Sequence, residues 1–167
     1  MAENRARDEF GTEEDMQKDE FLNFRLGEES YGIAIQAVTE IVKLQPITEI
    51  PELPAYFRGV INLRGKIIPV IDVRLRFKKP FREYDDRTCL IVVAVAQGSF
   101  GLIVDRVAEV LKIPAQEIVS PPRNLGAQYI RGIGKVGREV ELILDCDRLL
   151  SNEDVKSLEK FLEGMGE

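Results

Sequence analysis

The stretch Gly59–Val73, GVINLRGKIIPVIDV, sets two apolar runs around a tip of Arg64, Gly65 and Lys66. A guanidinium grips a carboxylate through a planar fork of N–H donors, so an arginine at a hairpin tip offers recognition chemistry. Glu40 is the candidate carboxylate for it. Catalytic chemistry is scarce by comparison. The 167-residue chain has no histidine, which removes the commonest general base and the commonest metal ligand. Cys89 and Cys146 are far apart and read as two small core residues of a protein in a reducing cytoplasm. No spacing of acids and cysteines suggests zinc, and neither a metal, a cofactor nor a catalytic residue is expected. Gly132, Gly134 and Gly137 spell G-x-G-x-x-G, but the alternating segment REVELILD follows instead of the helix that a dinucleotide site needs. Asp85 and Asp86 lie in the polar stretch REYDDRT and read as a solvated loop.

Charge narrows the partners. The net charge is −6, yet residues 1–20 hold eight acids and three bases, which leaves the rest of the chain at −1. A nearly neutral body argues against nucleic acid, because phosphate backbones want a basic surface. The acidic start has too few apolar residues to bury a core and reads as a disordered tail, not as a signal peptide. No apolar run approaches the length of a membrane span.

The elements that position these residues come in two copies. YGIAIQAVTEIVKL (31–44) aligns with FGLIVDRVAEVLKI (100–113), so that Gly32 meets Gly101, Val38 meets Val107 and Glu40 meets Glu109, an offset of 69. FRGVINLRGKIIPVIDVRLRF (57–77) aligns with IRGIGKVGREVELILDCDRLL (130–150), so that Gly59 meets Gly132 and Asp72 meets Asp145, an offset of 73. Two ordered blocks in the same order mark a tandem duplication. Each copy is short alternating strands punctuated by Gly and Pro, about five per copy, which suits a small barrel. Pro69 lies inside an apolar run and predicts an edge or a bulge there. A C-terminal helix is predicted from Ser151 and Asp154 as a capping box, an apolar stripe of Leu158, Phe161 and Leu162, and Gly164 as its end.

Arg64 breaks the internal symmetry. At the offset of 73 it faces Gly137, so the sister copy turns without an arginine. The turn does not require this side chain, which reads either as a solvated turn arginine or as one that binds a partner or orients a carboxylate such as Glu40.

With these residues in view, YGIAIQAVTEI, TEIPELPAYFRGVINLRGKIIPVIDVRLRF, GLIVDRVAEVLKI and IRGIG resemble the CheW family of bacterial chemotaxis coupling proteins over about residues 20–150. The resemblance implies a mostly β fold of two SH3-like five-stranded barrels packed on a shared core. The expected division is an acidic tail over 1–19, a CheW-like domain over 20–150 and a helix over 151–167. Within the domain, one subdomain spans about 20–84 and the other about 88–150, with strand exchange between them left open. It also implies a non-enzymatic adaptor. Such a protein is a monomer when free and joins ring-like arrays, linking chemoreceptor cytoplasmic tips to the regulatory domain of a CheA-type histidine kinase. Residues matching receptor-linked positions are Val38, Glu40, Gly59, Arg64 and Val110. Those matching kinase-facing segments are Ile47, Thr48 and Ile50 on the first barrel and Val119 and Arg123 on the second. Each carries a simpler reading: Val38 as core, Glu40 as a salt bridge, Gly59 as backbone geometry. An array serving pilus-driven motility uses the same adaptor type.

Overall fold

The computed structural model describes residues 18–96, 98–122, 128–150 and 152–165. The tail expected over 1–19 lies outside them as far as residue 17, and so does Arg123. In the first copy the strands are β1 (Glu20–Leu26), β2 (Glu29–Ala34), β3 (Val38–Lys43), β4 (Phe57–Leu63) and β5 (Lys66–Asp72), followed by the single-turn helix α1 (Val73–Arg76). The second copy supplies β6 (Cys89–Val95), β7 (Gly98–Val104), β8 (Arg106–Lys112), β9 (Ile118–Val119), β10 (Ile130–Val136) and β11 (Glu139–Leu144), then helix α2 (Asn152–Met165).

The strands form two sheets, in the orders β8-β1-β2-β11-β10-β9 and β3-β6-β7-β5-β4. Each sheet draws on both halves of the chain. The β1–β2 hairpin stands among strands of the second copy, and β6–β7 stands among strands of the first. Strands of the two copies meet at four joints: β11 on β2 and β5 on β7 are parallel, and β1 on β8 and β3 on β6 are antiparallel. Three residues in a 3-10 turn join β2 to β3, and Asp105 alone joins β7 to β8. The chain therefore runs on without turning back, and the third strand of each copy leaves its hairpin for the opposite sheet, where it pairs with the other copy's hairpin.

The duplication persists in local detail. The β4–β5 register slips between Phe57 and Gly59, and the β10–β11 register slips at the matching place, between Ile130 and Gly132. The Asp72 carboxylate accepts from Leu75 N at 3.3 Å, and the Asp145 carboxylate accepts from Asp147 N at 3.1 Å. Each aspartate thus begins a short helical turn by satisfying an orphan donor, which is why it recurs. The two-residue β9, paired with β10, makes one sheet six-stranded where five were expected. Its counterpart in the first copy is a lone bridge between Thr48 and Val60. Pro69 stands in an interior strand by sheet order, yet β5 meets β7 only from Val70 onward. At Pro69 the strand has β4 alone as partner, and its missing N–H costs nothing.

Three clusters fill the interior. A shared core between the sheets contains Phe24, Tyr31 and Ile33 from the first copy's hairpin, Ile71 and Val73, and Val93, Phe100 and Leu102 from the second copy's hairpin. Ile61, Ile68, Val70 and Leu90 form the core of the five-stranded unit. Phe21, Ile113 and Ile143 form that of the other. A fully buried side chain of this size contributes roughly 2 kcal/mol. Helix α2 sends Val155 and Leu158 into the shared core, so it covers that core. It does not stop at Gly164 but continues to Met165; a lone glycine in a last turn weakens a helix by about 1 kcal/mol without breaking it. Ser151 and the side chains of Phe161 and Leu162 lie outside the described residues.

Among the buried polar residues is a carboxyl group. Glu141 is 1% exposed; its Oε2 lies 2.6 Å from Ser30 Oγ, and its Oε1 has no partner. Ser30 Oγ also lies 2.9 Å from Asn23 Oδ1. One hydroxyl hydrogen cannot serve both acceptors. The chain closes when Glu141 carries a proton and donates to Ser30, which donates to Asn23. Burial pushes the Glu141 carboxyl up, against the hydrogen bond from Ser30 and the charge of Arg25, while the charge of Glu139 adds to the rise. A raised folded value favours the folded state at low pH and loses that advantage as pH climbs through it. Glu141→Gln is accordingly expected to match the parent near pH 4 and to exceed it by about 1 kcal/mol at pH 8. Urea unfolding at the two pH values checks this.

Candidate functional site

The β4–β5 tip is a two-residue turn in which Arg64 (φ +52°) and Gly65 (φ +87°) are both left-handed. Asn62 Oδ1 accepts from Gly65 N at 2.7 Å and holds the turn. A left-handed arginine costs about 1 kcal/mol that glycine does not. The sister turn puts Gly137 (φ +61°) at this position and avoids the cost. Position 64 therefore carries a residue that its backbone disfavours.

What the side chain does is visible. Arg64 Nη2 donates to both oxygens of Glu40, at 2.6 and 2.5 Å. Glu40 projects from β3, one end of the five-stranded sheet, while the tip joins β5 to β4 at the other end. The pair thus ties the two ends together across one rim of the barrel. Both bonds come from a single nitrogen, and the Arg64 side chain is 68% exposed. Such a pair contributes about 0.5 kcal/mol to stability, less than the turn conformation costs. Stability alone does not account for the arginine.

The expected residues divide as follows. Glu40 and Arg64 are joined directly. Val38, two residues before Glu40 on β3, is half-buried against the shared core. Gly59 is buried in β4, and a Cβ there would lie 2.0 Å from Thr48 O, so its role is the close passage of two backbones. Val110 is 48% exposed on β8, an edge strand of the sheet that does not hold Glu40 and Arg64. Its first-copy counterpart Ile41 is 43% exposed on edge strand β3. The offset of 69 pairs Ile41 with Val110 and was the signal for it. Ile47 is half-buried against the core of the five-stranded unit, and Thr48 is exposed while its backbone bridges Val60 at 2.8 and 3.0 Å. Val119 is 59% exposed in β9, paired with Ile133. Thr48 and Val119 therefore occupy matching outer edges of the two sheets. Ile50 is a correction: it belongs to the shared core, where the chain dips inward before β4, and is no surface residue.

The sites set aside from sequence have structural roles. The glycines of G-x-G-x-x-G lie in β10 and its hairpin to β11, with no helix after them. Asp85 accepts from the N–H groups of Arg87 and Thr88 at 2.8 and 3.1 Å and shapes a turn. Both cysteines are free and pack against the shared core. Burial, with Asp145 and Asp147 close by, pushes the Cys146 thiol up to about 12, far from a reactive thiolate. No described helix is long and apolar enough to cross a membrane.

Two strand-exchanged SH3-like barrels on one core, with a charged rim and open sheet edges, define a scaffold class of β protein. Comparison with known proteins makes this specific. Residues 20–154 match the family model described as CheW-like domain. The chain is 39% identical over 139 residues to the chemotaxis protein CheW of Klebsiella aerogenes, covering 81% of this chain and 84% of that one. It is 32% identical over 142 residues to chemotaxis protein CheW of Bacillus subtilis, covering 83% and 91%. It is also similar to protein FrzA of Myxococcus xanthus, 28% identical over 135 residues, covering 78% and 84%. The crystal structure of the scaffolding protein TtCheW from Thermoanaerobacter tengcongensis superposes with a TM-score of 0.77 at 37% identity, covering 82% and 95%. The chain belongs to the CheW family of chemotaxis adaptor proteins.

Proposed function

We propose that this chain is a non-enzymatic adaptor that couples chemoreceptor signalling tips to a CheA-type histidine kinase through two separate surfaces. The receptor surface centres on Arg64 and Glu40, with Val38 and Val110 as apolar contacts and Gly59 holding the strand beneath. The kinase surface follows the sheet edges at Ile47 and Thr48 and at Val119, with Ile50 supporting the first from inside; Arg123 is assigned to it from the sequence alone. The protein works in the cytoplasm, as a monomer when free, and is recruited to membrane-associated receptor arrays.

The observation that carries this reading is Arg64. It occupies a conformation suited to glycine, has no counterpart in the sister copy, and keeps a largely exposed guanidinium beside an acid. A receptor hairpin is a helical surface, and a charged rim beside apolar residues suits such a partner. The segments given to the kinase are sheet borders, where backbone and side chains stay open to another β module.

Two variants separate the surfaces. Arg64→Glu sets two acids against each other and should weaken receptor-tip binding by about tenfold, with kinase binding unchanged. Ile47→Glu should weaken binding of the kinase regulatory domain and spare the receptor. Both are measured by titration after circular dichroism confirms the fold. Wild-type receptor affinity in folded Arg64→Glu, or equal loss of kinase binding from both variants, would reject this division.

A second reading is an adaptor in a chemosensory array whose output is not flagellar, such as pilus motility. The similarity to FrzA supports it. Pull-down from native cytoplasm, with partners identified by mass, decides between them.

A further inference from the structure

Asp105, the single residue between β7 and β8, is a hub. Gly27 N donates to its Oδ2 at 2.6 Å, Arg74 donates Nε to Oδ1 at 2.7 Å and Nη2 to Oδ2 at 2.5 Å, and Arg82 Nη1 donates to Oδ2 at 3.0 Å. Its carboxylate is fully engaged. Beside it lies a cleft of about 110 Å³ lined by Gly27, Arg82, Arg87, Asp105 and Arg106. Arg87 and Arg106 make no ion pair among the described residues, which leaves the cleft with more positive charge than its acids neutralise.

The internal duplication tells what the fold itself needs here. The turn between β1 and β2 presents Gly27 N, and the matching turn between β6 and β7 presents Ala96 N. Ala96 N is satisfied by Asp147 Oδ1 at 2.9 Å. Asp147 is the sister of Arg74, while Asp105 and Arg106 have Gln36 and Ala37 as sisters. One half of the molecule thus closes its turn with a single aspartate. The other does so with an aspartate and gathers four arginines from α1, the linker and β8. Arg74 and Arg82 fasten the hub. Arg87 and Arg106 are surplus to it.

Nearby acids do not consume the surplus. Asp85 accepts from Arg87 N, Thr88 N and Thr88 Oγ and reaches Arg82 only at 3.7 Å. Asp86 is exposed and makes no ion pair among the described residues. The cleft has the room of roughly three to four water molecules, at about 30 Å³ each, which admits a small anion and not a nucleotide. Three arginines lining one small cleft suit an anion with acceptor oxygens in several directions, as a tetrahedral group has and a planar carboxylate lacks.

We infer that this cleft binds a phosphate-type oxyanion, held by Arg82, Arg87 and Arg106 against the Gly27 turn. The site uses none of the residues proposed for the receptor or the kinase. The oxyanion is either free phosphate or the headgroup of an anionic lipid, and the test has an arm for each. In the first, inorganic phosphate is titrated into the ¹⁵N-labelled full chain at constant ionic strength, with chloride as control. Saturable shifts should centre on the amides of Gly27, Arg87 and Arg106, and Arg87→Gln or Arg106→Gln should each weaken binding by about tenfold. In the second, the chain is sedimented with phosphatidylglycerol–phosphatidylcholine vesicles. Phosphate shifts without sedimentation assign the free anion, and sedimentation lost in both variants assigns the headgroup. Both variants should melt as the parent does, since neither guanidinium holds another group among the described residues. If phosphate moves no amide more than chloride does and vesicles do not bind, or if both variants bind as the parent does, the site is refuted.

Discussion

Gly59→Ala should destabilise the chain by about 4 kcal/mol and loosen the Ile47–Thr48 edge. Two costs add. The residue has φ +139°, where an L side chain is strained by roughly 2 kcal/mol. The new Cβ would also lie 2.0 Å from Thr48 O and 2.8 Å from Thr48 C. The obstacle is backbone, so relief comes only by parting the Thr48–Val60 bridge, whose two hydrogen bonds are worth about 1 kcal/mol each. The sister position provides an internal control. A Cβ at Gly132 would meet Ile118 Cγ2 at 2.5 Å, a side chain that can shift, and Gly132 is not left-handed. Gly132→Ala should cost about 1–2 kcal/mol. Urea unfolding of both variants checks the contrast. A Gly59→Ala loss no larger than that of Gly132→Ala would show that the close passage is not what fixes this edge. On the proposed division of surfaces, a soluble Gly59→Ala chain should also bind the kinase domain less well, because the same bridge presents Thr48.

Asp105→Ala is expected to cost about 3 kcal/mol. The Arg74 and Asp105 side chains are only 16% and 10% exposed, and their bond is two-pronged. Removing one partner strands the other charge in a poorly hydrated place, which costs more than the pair's net worth. The Gly27 N–H is orphaned as well. Arg74→Ala should give a similar loss, and the double variant much less than the sum, because the second removal no longer strands anything. Additive losses would refute the coupling. The pH dependence has a definite sign. Burial pushes the Asp105 carboxyl up, but the hydrogen bonds from Arg74 and Gly27 and the charges of Arg74 and Arg82 prevail and hold it below the usual carboxylate value of about 3.9. A depressed acid contributes its stability above the unfolded value and loses it as pH falls through the folded one. The gap between parent and Asp105→Ala should therefore be constant from pH 5 to 7 and shrink below about pH 4.

Of the candidate site, Arg64 was legible because the duplication supplied a control inside one chain. Gly137 stood where the backbone wanted glycine, so Arg64 stood out by difference. The same comparison set Asp105–Arg106 against Gln36–Ala37, but this difference spoke only once the partners were known. Arg74, Arg82 and Arg87 come from separate segments, and no spacing relates them. Ile50 was misplaced on a surface for a related reason. Between Ile47 and Ile50 the chain leaves a sheet edge and enters the core, and four residues of loop sequence carry no period that tells inward from outward.

The sequence by itself determined the two-copy β architecture of short strands, the helix at the C-terminus and the family. These follow from local alternation, turn residues and self-alignment, all of which are written along one dimension. Only the tertiary structure decided which strands pair. A strand's pattern says that one face is buried, not whose strand lies beside it, so two separate barrels and two strand-exchanged barrels read alike. The short links after β2 and β7 settle the matter by sending β3 and β8 to the opposite sheets. That exchange brings the copies into one core, and the fold then carries Glu40 to Arg64 and Asp105 to its arginines.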